Sequence, residues 1–204
     1  MTTEIDINWI RRQTNMTNLE IDNTTGLIER ARSEPNAFAE LYLRHYESVF
    51  QYCIHRLFES HSAEEVTSTV FFKVMHNLDS FEGTEIDFRN WLLRIATNSI
   101  NDYLRDAQKR RDVIQKAAAN TNAQSAAAID CDEELLEKKA LLQNALLSLK
   151  PKYQTVITLR FFEKMKLTEI AVILGQNQAT IRSQLARALS KLRKELRTAS
   201  RLEP

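Results

Sequence analysis

Residues 167–187 constrain this chain more than any other stretch. Leu167-Thr168-Glu169-Ile170-Ala171-Val172-Ile173-Leu174-Gly175 leads through Gln176-Asn177 into Gln178-Ala179-Thr180-Ile181-Arg182-Ser183-Gln184-Leu185-Ala186-Arg187, a pattern that predicts helix, tight turn, helix. In the first helix Ile170, Ala171 and Leu174 form the buried set, and Gly175 can take the left-handed conformation that a sharp turn needs. Asn177 is placed to cap the second helix. There Ile181, Leu185, Ala188, Leu189, Leu192 and Leu196 recur at three- and four-residue steps and share a face. From Gln178 to Arg201 seven bases stand against one acid, Glu195, a local charge of +6 in a chain whose total is +1. Such an excess suits phosphate. A basic amphipathic helix alone would read as a solvated surface. The small Ala171, the turn at Gly175 and the polar start at Thr180-Ile181-Arg182-Ser183-Gln184 favour a helix-turn-helix whose second helix offers its first turns to base edges.

With only three glycines and three prolines in 204 residues, the remainder points to long helices rather than many strands and turns. At 43% apolar residues the chain can bury one or two ordinary cores. Met1 to Arg12 carries Glu4 and Asp6 and lacks an apolar core, so it does not read as a secretory signal, and no stretch approaches a membrane span in length. Cys53 and Cys131 have no paired ligand spacing, which argues against a disulfide framework or a zinc site and fits a reducing cytoplasm. His45, His55, His61 and His76 are scattered and read as structural or solvated. No cofactor or metal is expected.

Residues 1–23 show weak periodicity and read as an N-terminal extension. Leu27, Ile28 and Ala31 suggest a short helix stopped near Pro35. A second helix carries Phe38, Leu41, Tyr42, His45, Val49, Tyr52, Cys53, Arg56 and Leu57 at helical steps, and a third runs from about Ser62 to Asp79. In a fourth helix Phe88, Trp91, Leu92, Ile95, Ala96, Ser99, Ile100 and Tyr103 make a continuous apolar face. Arg94, Asn98, Asn101, Arg105 and Lys109 form a stripe of amide, guanidinium and ammonium donors on the other side. Phe81, Phe88 and Trp91 beside that stripe suit either a core or a platform for unstacked bases.

Asp112 to Glu134 is rich in Ala, Asn and Gln, and its five acids against Lys116 leave a charge of −4. This stretch reads as a flexible linker with a reach of about 25 Å. Pro151 then sits where the first turn of a helix tolerates it, and Val156, Leu159 and Phe162 support the helix-turn-helix from behind. The expected fold is all-α: two small helical domains, residues 24–111 and 135–204, joined by the linker at 112–134, the second a helix-turn-helix.

In their order and spacing several strings resemble the extracytoplasmic-function sigma factors of bacterial RNA polymerase. The resemblance runs from about Thr24 to Arg197. It rests on Ala37-Phe38-Ala39-Glu40-Leu41-Tyr42, Ala63-Glu64-Glu65-Val66, Phe81-Glu82-Gly83, Phe88 to Asn98 and Asp102-Tyr103-Leu104-Arg105. In the second half it rests on Leu146 to Pro151, Leu159-Arg160-Phe161-Phe162-Glu163 and Leu167 to Leu192. The resemblance implies an initiation factor that binds the clamp and flap of the large subunits of core RNA polymerase, and promoter DNA. It implies minus-ten capture and melting by Phe81, Phe88, Arg94, Asn98, Asn101 and Arg105. For the minus-thirty-five element it implies Arg182, Ser183, Gln184 and Arg187 at bases or flanking phosphates, with Arg160 and Thr168 as phosphate anchors. At the place of Gln184 the family usually carries arginine, and an amide shifts preference from guanine toward adenine.

The third helix departs from the family pattern. Where relatives carry carboxylates and an amide on the clamp-binding face, this chain has Ser62, Ser68 and Thr69 beside Glu65 and an outward Phe72. Glu65, Ser68, Thr69 and Phe72 are therefore the polymerase-binding candidates, and Thr67, Ser68 and Thr69 are candidate phosphosites, because a phosphate would restore the missing charge. A Ser/Thr kinase, or an anti-sigma factor, is the implied regulator. A stand-alone helix-turn-helix regulator would not need the stripe on the fourth helix. A nucleic-acid enzyme would need clustered carboxylates, metal-ligand spacing or a Gly-rich phosphate loop, none of which the sequence carries.

Overall fold

The computed structural model describes residues 26–117 and 133–199, with side chains over 26–111 and 140–197. The N-terminal extension and residues 118–132 of the linker lie outside the described residues. The elements in chain order are α1 (residues 26–31), α2 (Pro35–Leu57), α3 (Ser60–Asn77), a 3-10 turn at Leu78–Ser80, and α4 (Glu85–Ala117). There follow α5 (Glu133–Leu147), α6 (Pro151–Ile157), a π turn at Thr158–Phe162, α7 (Leu167–Leu174) and α8 (Gln178–Ala199). Among the described residues every regular element is helical, as the composition implies, and no helix is long and apolar enough to cross a membrane.

The helix ends follow local chemistry. Pro35 opens α2, where its missing N–H costs nothing. The α2 C-cap, Phe58, takes a left-handed conformation at φ 56°, unusual for a bulky residue, and packs against the cluster of Leu146, Leu149, Tyr153, Ile157 and Ala188 in the second half of the chain. Glu59 caps α3 by accepting the N–H groups of His61 and Ser62. Thr84 and Asp87 start α4 reciprocally: the Asp87 carboxylate accepts the Thr84 N–H at 2.9 Å, and the Asp87 N–H reaches the Thr84 hydroxyl at 3.4 Å. Gly83 is required at that start, because a Cβ there would lie 2.7 Å from the Asp87 Cβ. The helix runs to Ala117, six residues past the expected boundary at Arg111.

α2, α3 and α4 close around Leu41, Val49, Tyr52, Val70, Val74, Phe88, Leu92, Ala96 and Ile100, and the buried Tyr52 hydroxyl bonds the Thr97 hydroxyl at 2.8 Å. This core does not stop at the first half. Val156, Leu159, Met165, Ile170, Ile173 and Ile181 belong to the same buried cluster, so the helix-turn-helix is docked on α2 and α4. A second cluster of Leu146, Leu149, Tyr153, Ile157 and Ala188 holds α5, α6 and α8 together.

A half-buried histidine in the first half titrates well below its usual range. His45 packs its ring 5.2 Å from that of Phe88, and its Nε2 has no hydrogen-bond partner. Burial, aided by Arg44 and Arg89, pushes its pKa from 6.5 down to about 4. The unfolded chain binds this proton before the folded one does, so stability is whole above pH 6.5 and falls as pH drops from there toward 4. Urea midpoints taken across this window should decline with acidification, and His45→Gln should flatten the decline. Equal slopes in both proteins would assign the acid sensitivity to other groups.

Candidate nucleic-acid interface

The helix-turn-helix is assembled as its residues dictate. The Glu169 carboxylate accepts the Lys166 N–H at 2.6 Å at the start of α7. Gly175 ends that helix at φ 61°, and its N–H and that of Gln176 return to the Val172 and Ala171 carbonyls at 3.2 and 2.9 Å. The Asn177 side chain then accepts the Thr180 N–H at 2.7 Å and starts α8. Ile170, Ile173, Ile181 and Ala188 are buried between the helices and what lies behind them. Ile173, rather than Leu174, is the fully buried member at the end of α7. Arg182, Ser183 and Arg187 are exposed on α8, and Thr168 is exposed at the start of α7. Gln184 is half-buried and donates to the Gln176 side chain at 2.8 Å. Arg160 is exposed in the π turn and donates to the Met165 carbonyl at 2.9 Å, bracing the connection into α7.

On α4, Arg94, Asn98, Arg105 and Lys109 are exposed along one side, as their spacing implies, and Asn101 is half-buried. Arg105 and Lys109 also pair with Asp102 and Asp106 at 3.2 and 3.6 Å, exposed contacts of little energetic weight. Phe81 and Phe88 are placed otherwise. They are 6% and 0% exposed, and their rings pack edge to face at 5.4 Å with Trp91 completing the cluster. The alternation that put them beside the stripe is the alternation of a core face, and neither offers a free ring to a base in this arrangement.

The outer side of α3 presents Glu65, Ser68 and Thr69, and Phe72 at 60% exposure with its ring 4.1 Å from that of His76. Thr67 is corrected as a phosphosite: it is fully buried, in phase with Ala63, Val70 and Val74, and no kinase reaches it in the folded chain. Ser68 and Thr69 remain accessible.

The stripe and the helix-turn-helix, far apart in sequence, meet. A cleft of about 220 Å³ is lined by Arg94, Asn98 and Asn101 from one side and Ile173, Gln176 and Gln184 from the other. The Arg94 guanidinium lies 3.7 Å from where a Cβ on Gly175 would stand. Arg56, placed by its spacing with the second helix's apolar set, is the residue to which the sequence assigned no role. It is 1% exposed and donates to the Asn101 side chain and to the Pro151 carbonyl, each at 3.2 Å, tying α2 to α4 and to the second half at once. A cation in phase with Val49, Tyr52 and Cys53 on an apolar face was the signal for it.

Family models match both halves: Sigma-70 region 2 over residues 41–110, and Sigma-70 region 4 over residues 139–192. SigW of Bacillus subtilis, an ECF RNA polymerase sigma factor, is 30% identical over 173 residues, covering 81% of this chain and 92% of SigW. The chain belongs to the extracytoplasmic-function sigma factors. Another such sigma factor, BldN of Streptomyces coelicolor, is 31% identical over 179 residues. That match covers 87% of this chain but only 65% of BldN. Two solved structures share the fold. CnrH in complex with the cytosolic domain of CnrY aligns with a TM-score of 0.61 at 22% identity, over 84% of this chain and 96% of that one. RpoE of Bartonella quintana, solved with the anti-sigma factor NepR, aligns at 0.59 and 20% identity, over 78% and 96%. In this sigma factor α2 to α4 carry the region 2 match, and α5 to α8 the region 4 match.

The burial of Phe88 yields a sharp expectation for this sigma factor. With no DNA present, Phe88→Ala should lower unfolding free energy by about 3–5 kcal/mol, the cost of emptying a packed aromatic site. Chemical denaturation measures it, and a loss under about 1 kcal/mol would return the ring to the surface.

Proposed function

We propose that this sigma factor binds core RNA polymerase through the outer side of α3 and directs promoter-specific initiation by reading two elements. One is the minus-thirty-five element, met by the exposed start of α8; the other is the minus-ten element, met by the α4 stripe. The observation that carries this reading is the pairing, in one chain, of a basic helix-turn-helix with a second donor-rich helix, each inside its own sigma-70 region. A stand-alone regulator needs only the first. Arg182 and Arg187 supply guanidinium forks for guanine edges or phosphates, and Ser183 and Gln184 supply adaptable polar contacts. Thr168 and Arg160 stand at the flank as phosphate anchors. The polymerase it serves is cytoplasmic, and no catalytic group is assigned.

The test is transcription with purified core polymerase on promoter fragments. Specific transcripts should require both components, whereas promoter binding that neither needs nor recruits polymerase would favour the regulator. Arg182→Ala and Arg187→Ala should each cost about 1–3 kcal/mol of promoter affinity where the side chain reads a base. Unchanged binding with an unchanged salt slope in both would remove α8 as the reader.

The clamp-facing surface is short of negative charge, and Ser68 and Thr69 stand exposed in it beside Glu65 and Phe72. Phosphorylation of either adds about −1.5 to −2 charges. A Ser/Thr kinase would then switch on polymerase binding, in the role an anti-sigma factor would otherwise fill by release. Affinity for core polymerase should be weak before kinase treatment, rise after it, and fall again with added salt. Full-strength binding by the Ser68→Ala/Thr69→Ala protein would leave the initiation role standing and dispose of the switch.

A further inference from the structure

Between the two halves, at the distal end of the α4 stripe and sharing Asn101, Arg105 and Lys109 with it, lies a cleft of about 910 Å³, at the upper end of the range that small-molecule sites occupy. Arg56 at its base is joined by Arg105, Lys109, Arg111 and Lys152, and among the described residues Glu59 is the one carboxylate of its lining. That carboxylate is already engaged by the His61 and Ser62 N–H groups as the cap of α3. Arg56 is the decisive member. A guanidinium that is 1% exposed normally has an anion beside it, because burying an uncompensated charge is costly. Here its two acceptors are the neutral oxygens of Pro151 and Asn101, and its Nε has no partner. Among the described residues no carboxylate stands within ion-pair distance of it.

We propose that this cleft binds a nucleoside polyphosphate, its phosphates among Arg56, Lys109, Arg111 and Lys152 and its base against the apolar wall formed by Tyr103, Leu104 and Leu149. A phosphate chain supplies the counter-charge that Arg56 lacks and suits several flexible cations at once. A ligand so held touches α2 and α4 on one side and the start of α6 on the other, so it binds the docked arrangement in preference to the separated halves.

Equilibrium dialysis of the full chain with ATP, inorganic triphosphate and adenosine tests this, with thermal unfolding as a second readout. The expected result is saturable binding of one ATP per chain with a rise in thermal midpoint, inorganic triphosphate at least tenfold weaker, and adenosine weaker still. Lys152→Ala and Arg111→Ala, both exposed positions that should leave the ligand-free midpoint in place, should each weaken ATP about tenfold and reduce its effect on the midpoint. Absence of saturable binding, triphosphate binding equal to that of ATP, or ATP binding untouched by both substitutions would overturn the proposal. Each of these outcomes is independent of transcription and leaves the initiation role as it stands.

Discussion

The arrangement of this molecule depends on the apolar seam where α7 and the π turn meet α2 and α4. Leu159, Met165, Ile170 and Ile173 leave water there by joining the cluster built around Leu41, Tyr52 and Ile100. Each such side chain contributes about 1.5–3 kcal/mol when fully buried. Polar groups run along the same junction and oppose the seam. Arg56 is stripped of water with no carboxylate of the described residues within ion-pair distance, and burial lowers its proton affinity accordingly. The seam therefore holds the halves together against a standing electrostatic cost, and contacts of that kind within one chain are usually able to open.

The stripe on α4 and the exposed face of α8 are both donor-rich, and docking brings Arg94 beside the neutral turn at Gly175. On the proposed reading each surface would gain from counterion release once it faced a duplex. Residues 112–134 between them carry a charge of −4.

Much of this was legible before the coordinates. Gly175 and Asn177 announced a turn and a cap because the chemistry that closes a helix end is local, and the structure shows the bonds they make. The α4 stripe was legible for a similar reason, since helical spacing alone sorts Arg94, Asn98 and Arg105 onto one side. Periodicity says which residues share a face but not what covers it. Phe81 and Phe88 consequently read as core or as base platform until Trp91 and His45 were seen packed on them. The same blindness hid the docking of the halves, whose two apolar faces look alike whether they meet each other or not. α4 continues to Ala117, into the stretch whose composition reads as a linker partly helical at most, because nothing stops a helix there: no Gly or Pro occurs between Gly83 and Pro151.

The docked arrangement and the proposed two-element reading of a promoter are geometrically exclusive. Elements near positions minus ten and minus thirty-five are about 25 base pairs apart, about 85 Å along a duplex at 3.4 Å per pair. Surfaces that line one cleft of about 220 Å³ cannot touch both, so the proposed reading would require α7 and α8 to leave α4. The connection permits it. Residues 118–132 number fifteen and extend at most about 50 Å. α5 adds roughly 22 Å from fifteen helical residues, and the distal part of α4 reaches further still. Neither half has to unfold. What must break is the seam, the bond from Arg56 to the Pro151 carbonyl that crosses it, and the ring contact at 4.4 Å between His55 and Phe162. Whatever holds polymerase on α3 and DNA on α8 has to supply that difference in free energy. A partner that touches only one half equally well in both arrangements supplies none of it.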